Sequence, residues 1–248
     1  MPTVSLLFAP GERPHAPVIV SHARDGGGYS VSLDPKAEEA EPEVGNRDSR
    51  WLELLANGLT FDLLGLAPGP AAGAPPSGHV YGLPAEIGSE RLEALVLQPG
   101  PHLAAAASML PVVRSLAWLA ARLATLPRTR AVVWHPARSW CSPEHFFESV
   151  MRWIDGGVFP GFGLAALVPM PDGGMRSEGM ALFVGQELRL EPELAEDRAA
   201  GARTGLRLLH WLSEHGRLSG PETLTGPDGV ALRLEPSANG RFVRVWKK

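Results

Sequence analysis

Cysteine occurs once in this chain, tyrosine twice, and lysine is far outnumbered by arginine. The lone Cys141 excludes an intramolecular disulfide and any multi-cysteine zinc or iron–sulfur site. It fits a reducing compartment, and the expected location is the cytoplasm. No charge of one sign dominates: the formal net charge is −4, which gives no footprint for nucleic acid or an anionic membrane. The basic, aromatic tail RFVRVWKK (241–248) has no further basic run to extend it, and it reads as a final strand. No apolar run spans a bilayer, because Pro111, Arg114 and Arg122 interrupt Leu103 to Leu126. The opening Met-Pro-Thr-Val-Ser lacks the basic start and apolar run of a secretory signal. The chain also contains no G-x-x-x-x-G-K-[ST], no H-E-x-x-H and no G-x-S-x-G.

What is present is a chain of 248 residues, 44% hydrophobic and 20% charged, enough to bury a core as one large or two small domains. The bias toward Ala, Leu, Gly, Pro and Arg points to a GC-rich bacterial genome. TVSLLF (3–8), APVIVS (16–21) and YSVSL (29–33), punctuated by GERP and DGGG, read as a strand meander. The acidic stretch 34–50 reads as a solvated loop. LELLANGLTFDLLGL (52–66) reads as a short helix turning at Asn57-Gly58 into a strand. APGPAAGAPPSG (67–78) breaks regular structure and is the candidate boundary. It would divide a strand-rich half, 1–66, from an α+β module, 79–248, unless 1–248 is one continuous domain.

The second half is better marked. Residues 92–98 read as a strand ending at Pro99-Gly100-Pro101. Residues 102–126 read as largely helical, with Pro111 either kinking the helix or opening its second part. Ala131 to Trp134 reads as a short central strand. If it pairs in parallel with 92–98, the crossover is right-handed. Ser142 and Pro143 are an N-cap and first helical residue, and the helix they open carries Phe146, Phe147, Val150, Met151 and Ile154 on one side. Gly163 to Met170 and Gly179 to Leu190 read as strands joined through the turn 171–174. Residues 194–214 read as a helix that buries Leu206, Leu209 and Leu212. Two terminal strands flank Asn239-Gly240, a strong hairpin signal. The expected fold class is α+β, mixed sheet with helices packed mainly on one face.

GLTFDLLGLAP (58–68), AVVWH (131–135), the SPEHF helix (142–146) and GMALFVGQELRL (179–190) together resemble the bacterial family catalogued as domain of unknown function 4261. The resemblance covers roughly residues 58–235 and is strongest over 131–190. The chain departs from the pattern with Met180 where Leu is usual and a short Pro-rich stretch in place of a longer loop. The family carries no established activity, so the resemblance implies a fold and transfers no site.

GFGLAA (161–166) matches a dinucleotide fingerprint by letters, but a helix precedes it and LVPMPDGG comes after it, which forbids the helix that would meet a pyrophosphate. No cofactor is expected. The densest polar cluster is His135, Arg138, Cys141, Glu144 and His145. Read as an enzyme, Cys141 is the nucleophile and His135 or His145 its base. Read as a metal site, His135, Cys141, Glu144 and His145 supply ligands at no familiar zinc spacing. Read structurally, they are a strand-to-helix connection with a small apolar cysteine. His210 and Trp211 fall on the 194–214 helix, and Glu191, Glu193, Glu196 and Asp197 gather at its start, where carboxylates favour the helix dipole. Trp51, Trp140 and Trp153, near loops or helix edges, are candidate interface anchors.

These readings favour a non-enzymatic module that binds another protein, as an immunity-like or secretion-associated partner. The alternatives are a hydrolase or small-ligand enzyme using the His135–His145 connection, and a structural module that self-associates into a homo-oligomer.

Overall fold

A computed structural model describes residues 2–34, 51–89, 91–227 and 229–248. The acidic stretch 35–50, expected to be a solvated loop, lies outside the described residues. The fold is α+β, with two mixed sheets. The first comprises β1 (Val4–Phe8), β2 (Ser30–Leu33), β3 (Trp51–Ala56), β4 (Leu59–Leu64), β5 (Ala72–Gly73), β6 (His79–Tyr81), β7 (Glu93–Pro99), β8 (Ala131–Trp134) and β9 (Ser139–Cys141). Their order is β2-β3-β4-β7-β1-β8-β9-β6, with β5 beside β7. The second comprises β10 (Ala166–Pro169), β11 (Met175–Glu178), β12 (Glu187–Leu190), β13 (Glu222–Thr225), β14 (Ala231–Pro236) and β15 (Phe242–Lys247). Here the order is β10-β11-β12-β15-β14-β13. The helices are α1 (Ala16–His22), α2 (Leu110–Ala124), α3 (Pro143–Ile154), α4 (Ala181–Val184), α5 (Pro192–Ala195) and α6 (Arg198–His215).

Strands from both sides of 67–78 share the first sheet, because β1 and β4 each pair with β7. The Pro/Gly stretch is tied to that sheet. The buried Arg13 donates to the carbonyls of Gly65 and Gly69 and pairs with Glu93 of β7 at 2.9 Å. The conditional pairing of 92–98 with 131–134 is not formed: β1 lies between β7 and β8 and runs antiparallel to both. The α2 crossover therefore spans three strands.

Four local expectations are corrected. Residues 16–21 form α1 rather than a strand. Pro17 stands in its first turn, and Ile19 alone of its residues is buried, so context overrides the β-branched run. Residues 52–56 are a strand rather than a helix. Leu52, Leu54 and Ala56 alternate inward, and Asn57 and Gly58 both have positive φ, as a two-residue hairpin turn requires. Gly179 to Leu190 is not one strand, since α4 interrupts it between Gly179 and Gly185, both in the left-handed region. The 194–214 helix is two: α5 ends, and Asp197 caps the start of α6 by accepting from Ala199 and Ala200. Pro111 sits in the first turn of α2, the second of its two expected places.

The helices α2 and α3 pack on one face of the first sheet, against Val4, Leu6, Phe8, Val132 and Trp134. The same core continues through Leu188, Leu190, Val243 and Val245 of the second sheet to Leu209 and Leu212 of α6. The opposite face of the first sheet has a smaller core of Leu7, Ala94, Ala131, Val133 and Trp140, covered by Ala74, Leu83, Ile87 and Leu92.

Candidate functional site

The connection from β8 to α3 is built by a 3-10 turn at His135–Ala137, a left-handed Arg138 (φ 51°), and β9. Ser142 then caps α3, its Oγ accepting from the His145 N–H at 3.1 Å, with Pro143 in the first turn as expected. This path turns the candidate residues in different directions. Cys141 points into the main core and is wholly buried. Burial pushes its thiol up to about 12, against a smaller opposing effect of Ser139, so it is a neutral thiol at pH 7. The imidazole of His135 shares a 2.8 Å hydrogen bond with Ser5 Oγ, and burial holds its pKa below the usual value. His145 Nε2 meets the carbonyl of Phe162 at 3.1 Å, and Glu144 is exposed in the first turn of α3. Neither histidine is hydrogen-bonded to Cys141. Among the described residues, no group of three or more His, Cys, Asp or Glu side chains is placed to hold a metal ion. The structure thus does not bring His135, Cys141, Glu144 and His145 together, either as a nucleophile and base or as a ligand set.

Arg138 belongs to a different cluster. It reaches Glu178 of β11 at 2.8 Å, which also pairs with His79 of β6 at 3.1 Å and Arg176 at 2.7 Å. Burial opposes ionisation of Glu178, but the hydrogen bonds from Arg138 and His79 outweigh it and hold the carboxyl below its usual range. This cluster links the β6 edge of the first sheet to β11 of the second. Glu187 is likewise committed. Its carboxylate accepts from Ser177 Oγ and from the N–H groups of Gly179, Met180 and Ala181, capping the start of α4.

Of the tryptophans proposed as anchors, Trp140 lies in the smaller core and Trp153 in the main one, and Trp51 is half-buried on β3. Nearness to a loop in sequence did not reveal which way the two buried rings point. Among the described residues, no helix is long and apolar enough to cross a membrane.

Uncommitted surface lies along α6, and a separate depression of about 560 Å³ lies beside α2, lined by Leu59, Leu110 and Trp118. The helix α6 packs on β12 and α5 packs on β15, leaving a groove between α6 and the outer strands β14 and β13. One depression of about 280 Å³ is floored by Leu208, Trp211, Leu224 and Leu232. A second, of about 180 Å³, adjoins it through Thr204, Gly226, Pro227 and Leu232 and runs to the helix start. The half-buried Trp211 ring is held by His215, stacked at 4.3 Å with 17° between planes. Sequence reading took Trp211 for a core ring and the acids before α6 for partners of the helix dipole. It missed the groove because Leu224 and Leu232 arrive from a hairpin with no local mark of contact.

Compared with protein-family models, curated proteins and solved structures, the chain finds no match in any of the three.

Proposed function

We propose that this chain is a bacterial cytoplasmic protein-binding module that binds its partner along α6. The observation that carries this reading is the groove itself: an apolar floor with a pre-positioned Trp211 and no segment of the described chain seated in it. A stacked, half-buried tryptophan gives contact area at little entropic cost, which is how interface anchors work. The chemistry-bearing side chains, by contrast, are occupied inside the fold: Cys141 in the core, Glu187 on α4, Glu178 between the sheets.

The test is capture of tagged protein from its native cells with wild type, Trp211→Ala, and Arg233→Ala on the far face of the second sheet. One dominant co-purifying protein, held by wild type and Arg233→Ala and lost by Trp211→Ala, is the expected result. A chain recovered alone at native abundance, or a partner indifferent to Trp211, contradicts it.

A second reading, hydrolysis at the His135 connection, has one observation in its favour, the Ser5–His135 hydrogen bond. It requires Ser5, 1% exposed on β1, to become reachable. Covalent labelling of Ser5 by a fluorophosphonate would support it, and an unlabelled Ser5 would remove it.

A further inference from the structure

The charge around the groove says what kind of partner it fits. Its start is acidic, lined by Glu193, Glu196 and the capping Asp197, and its far end carries a single carboxylate, Glu214, in the last turn of α6. Against these four carboxylates stand two lining cations, Arg207 and Lys247. The carboxylates of Glu196 and Glu214 are on exposed residues. Glu214 has only a 3.8 Å approach to His210. The middle is apolar, from Leu208 and Trp211 across to Leu224 and Leu232. The groove runs along α6, whose 18 residues span roughly 27 Å at helical rise.

Resting on the protein-binding reading, we infer that the groove takes an amphipathic helix of the partner, apolar in its middle and carrying lysine or arginine toward both ends. A helix fits because the groove is linear: it follows α6 from Glu196 to Glu214, between that helix and the β13–β14 hairpin, with the half-buried Trp211 and Leu224 facing each other across it. The apolar middle supplies affinity and the terminal acids supply orientation and discrimination, since a like-charged segment meets repulsion at both ends. Exposed charges of this kind are screened, so the preference weakens with salt.

The experiment uses the full chain, labelled with nitrogen-15, and two synthetic helical peptides of about four to five turns. The peptides share one leucine stripe and differ only in having lysine or glutamate flanks. The lysine peptide is expected to shift amides of α6 and the β13–β14 hairpin and to bind at least about tenfold more tightly than the glutamate peptide. The double variant Glu196→Lys/Glu214→Lys, altered only at exposed positions, is expected to lose that preference while keeping an unchanged thermal transition. The inference is overturned by equal binding of the two peptides, by a preference that survives charge reversal, or by shifts confined to other elements. It is also overturned if the same amides broaden with protein concentration alone, which assigns the groove to a second copy of the chain. If native capture depends on Trp211 but the lysine peptide shows no preference, the charge assignment falls and the protein-binding reading stands. If capture fails as well, both fall.

Discussion

On the face of the first sheet turned away from α2 and α3, Leu7, Val133 and Trp140 are packed beneath Ala74, Leu83, Ile87 and Leu92. The corresponding face of the second sheet, turned away from α6, carries arginine. Arg176, Arg189 and Arg244 stand side by side on β11, β12 and β15. Like charges directly opposite one another on neighbouring strands repel. Here carboxylates intervene: Glu191 takes Arg244 at 2.6 Å and Arg189 at 3.3 Å, Asp172 takes Arg189, and Glu178 takes Arg176. Arg233 and Arg244 also lie over the Trp246 ring, at 5.9 and 5.7 Å. Both sheets alternate in the same way. They differ in whether a stretch of chain lies over the second face. Where one does, the outward positions include Leu7, Val133 and Trp140; where none does among the described residues, Arg176, Arg189 and Arg244 stand among carboxylates. The stability of the fold should therefore lean on the covered face and hardly at all on the charged one.

The largest test of that contrast is Trp140→Ala. Emptying the covered face should cost about 3–5 kcal/mol in urea unfolding, with a cavity left under β8 and β9. A cost below about 1 kcal/mol would mean that the overlying segment is not packed there. Next comes Glu187→Ala, which strips a carboxylate from Ser177 and three backbone N–H groups at the start of α4. A loss of about 2–4 kcal/mol is expected, because those donors are left unpaired, and Glu187→Ala should also quicken hydrogen exchange at Gly179 and Ala181.

A smaller effect, of opposite sign, is expected at Asp62. It is 8% exposed, its Oδ1 has no hydrogen-bond partner, and it lies directly across from Glu53. Burial, with Glu53 beside it, raises its pKa. A carboxyl whose folded pKa is raised contributes stability below its unfolded pKa and loses it as pH rises through the folded value. At neutral pH Asp62→Asn should therefore stabilise the fold, by about 0.5–1 kcal/mol. The gain should disappear as pH falls below the ordinary carboxylate range of about 4. Destabilisation by Asp62→Asn at pH 7 would contradict this. The smallest effect is Arg233→Ala on the open face. Its pairing with Glu235 is exposed, so the change should stay within about 0.5 kcal/mol and vanish in high salt.

The same contrast separates what could be read from sequence from what could not. Elements fixed by local chemistry were legible: Ser142-Pro143 opening α3, a turn at Asn57-Gly58 (though with a helix expected before it), Asn239-Gly240 turning a hairpin, and the apolar AVVW of β8 buried at every position. Elements set by distant packing were not. APVIVS has β-branched residues yet forms α1, because its turn needs only Ile19 inside. GMALFVGQELRL looks continuous yet breaks at α4, because Glu187 reaches back to the N–H groups of residues 179–181. The cluster at 135–145 was legible as polar residues but not as a direction. Its partners, Ser5 for His135 and Glu178 for Arg138, lie 130 and 40 positions away. The groove was not legible: Trp211 was expected in the core and the acids before α6 as partners of the helix dipole. Its other wall comes from β13 and β14, which no periodicity places beside that helix.

The central claim is that a partner sits between α6 and the β13–β14 hairpin. The most direct measurement is photo-crosslinking in native cells, with p-benzoylphenylalanine placed at Arg207 on the groove rim or at Arg233 on the opposite face of the sheet. The account predicts one crosslinked species from position 207 and none from position 233. A crosslink from position 233 alone, or none from either at native abundance, would contradict it.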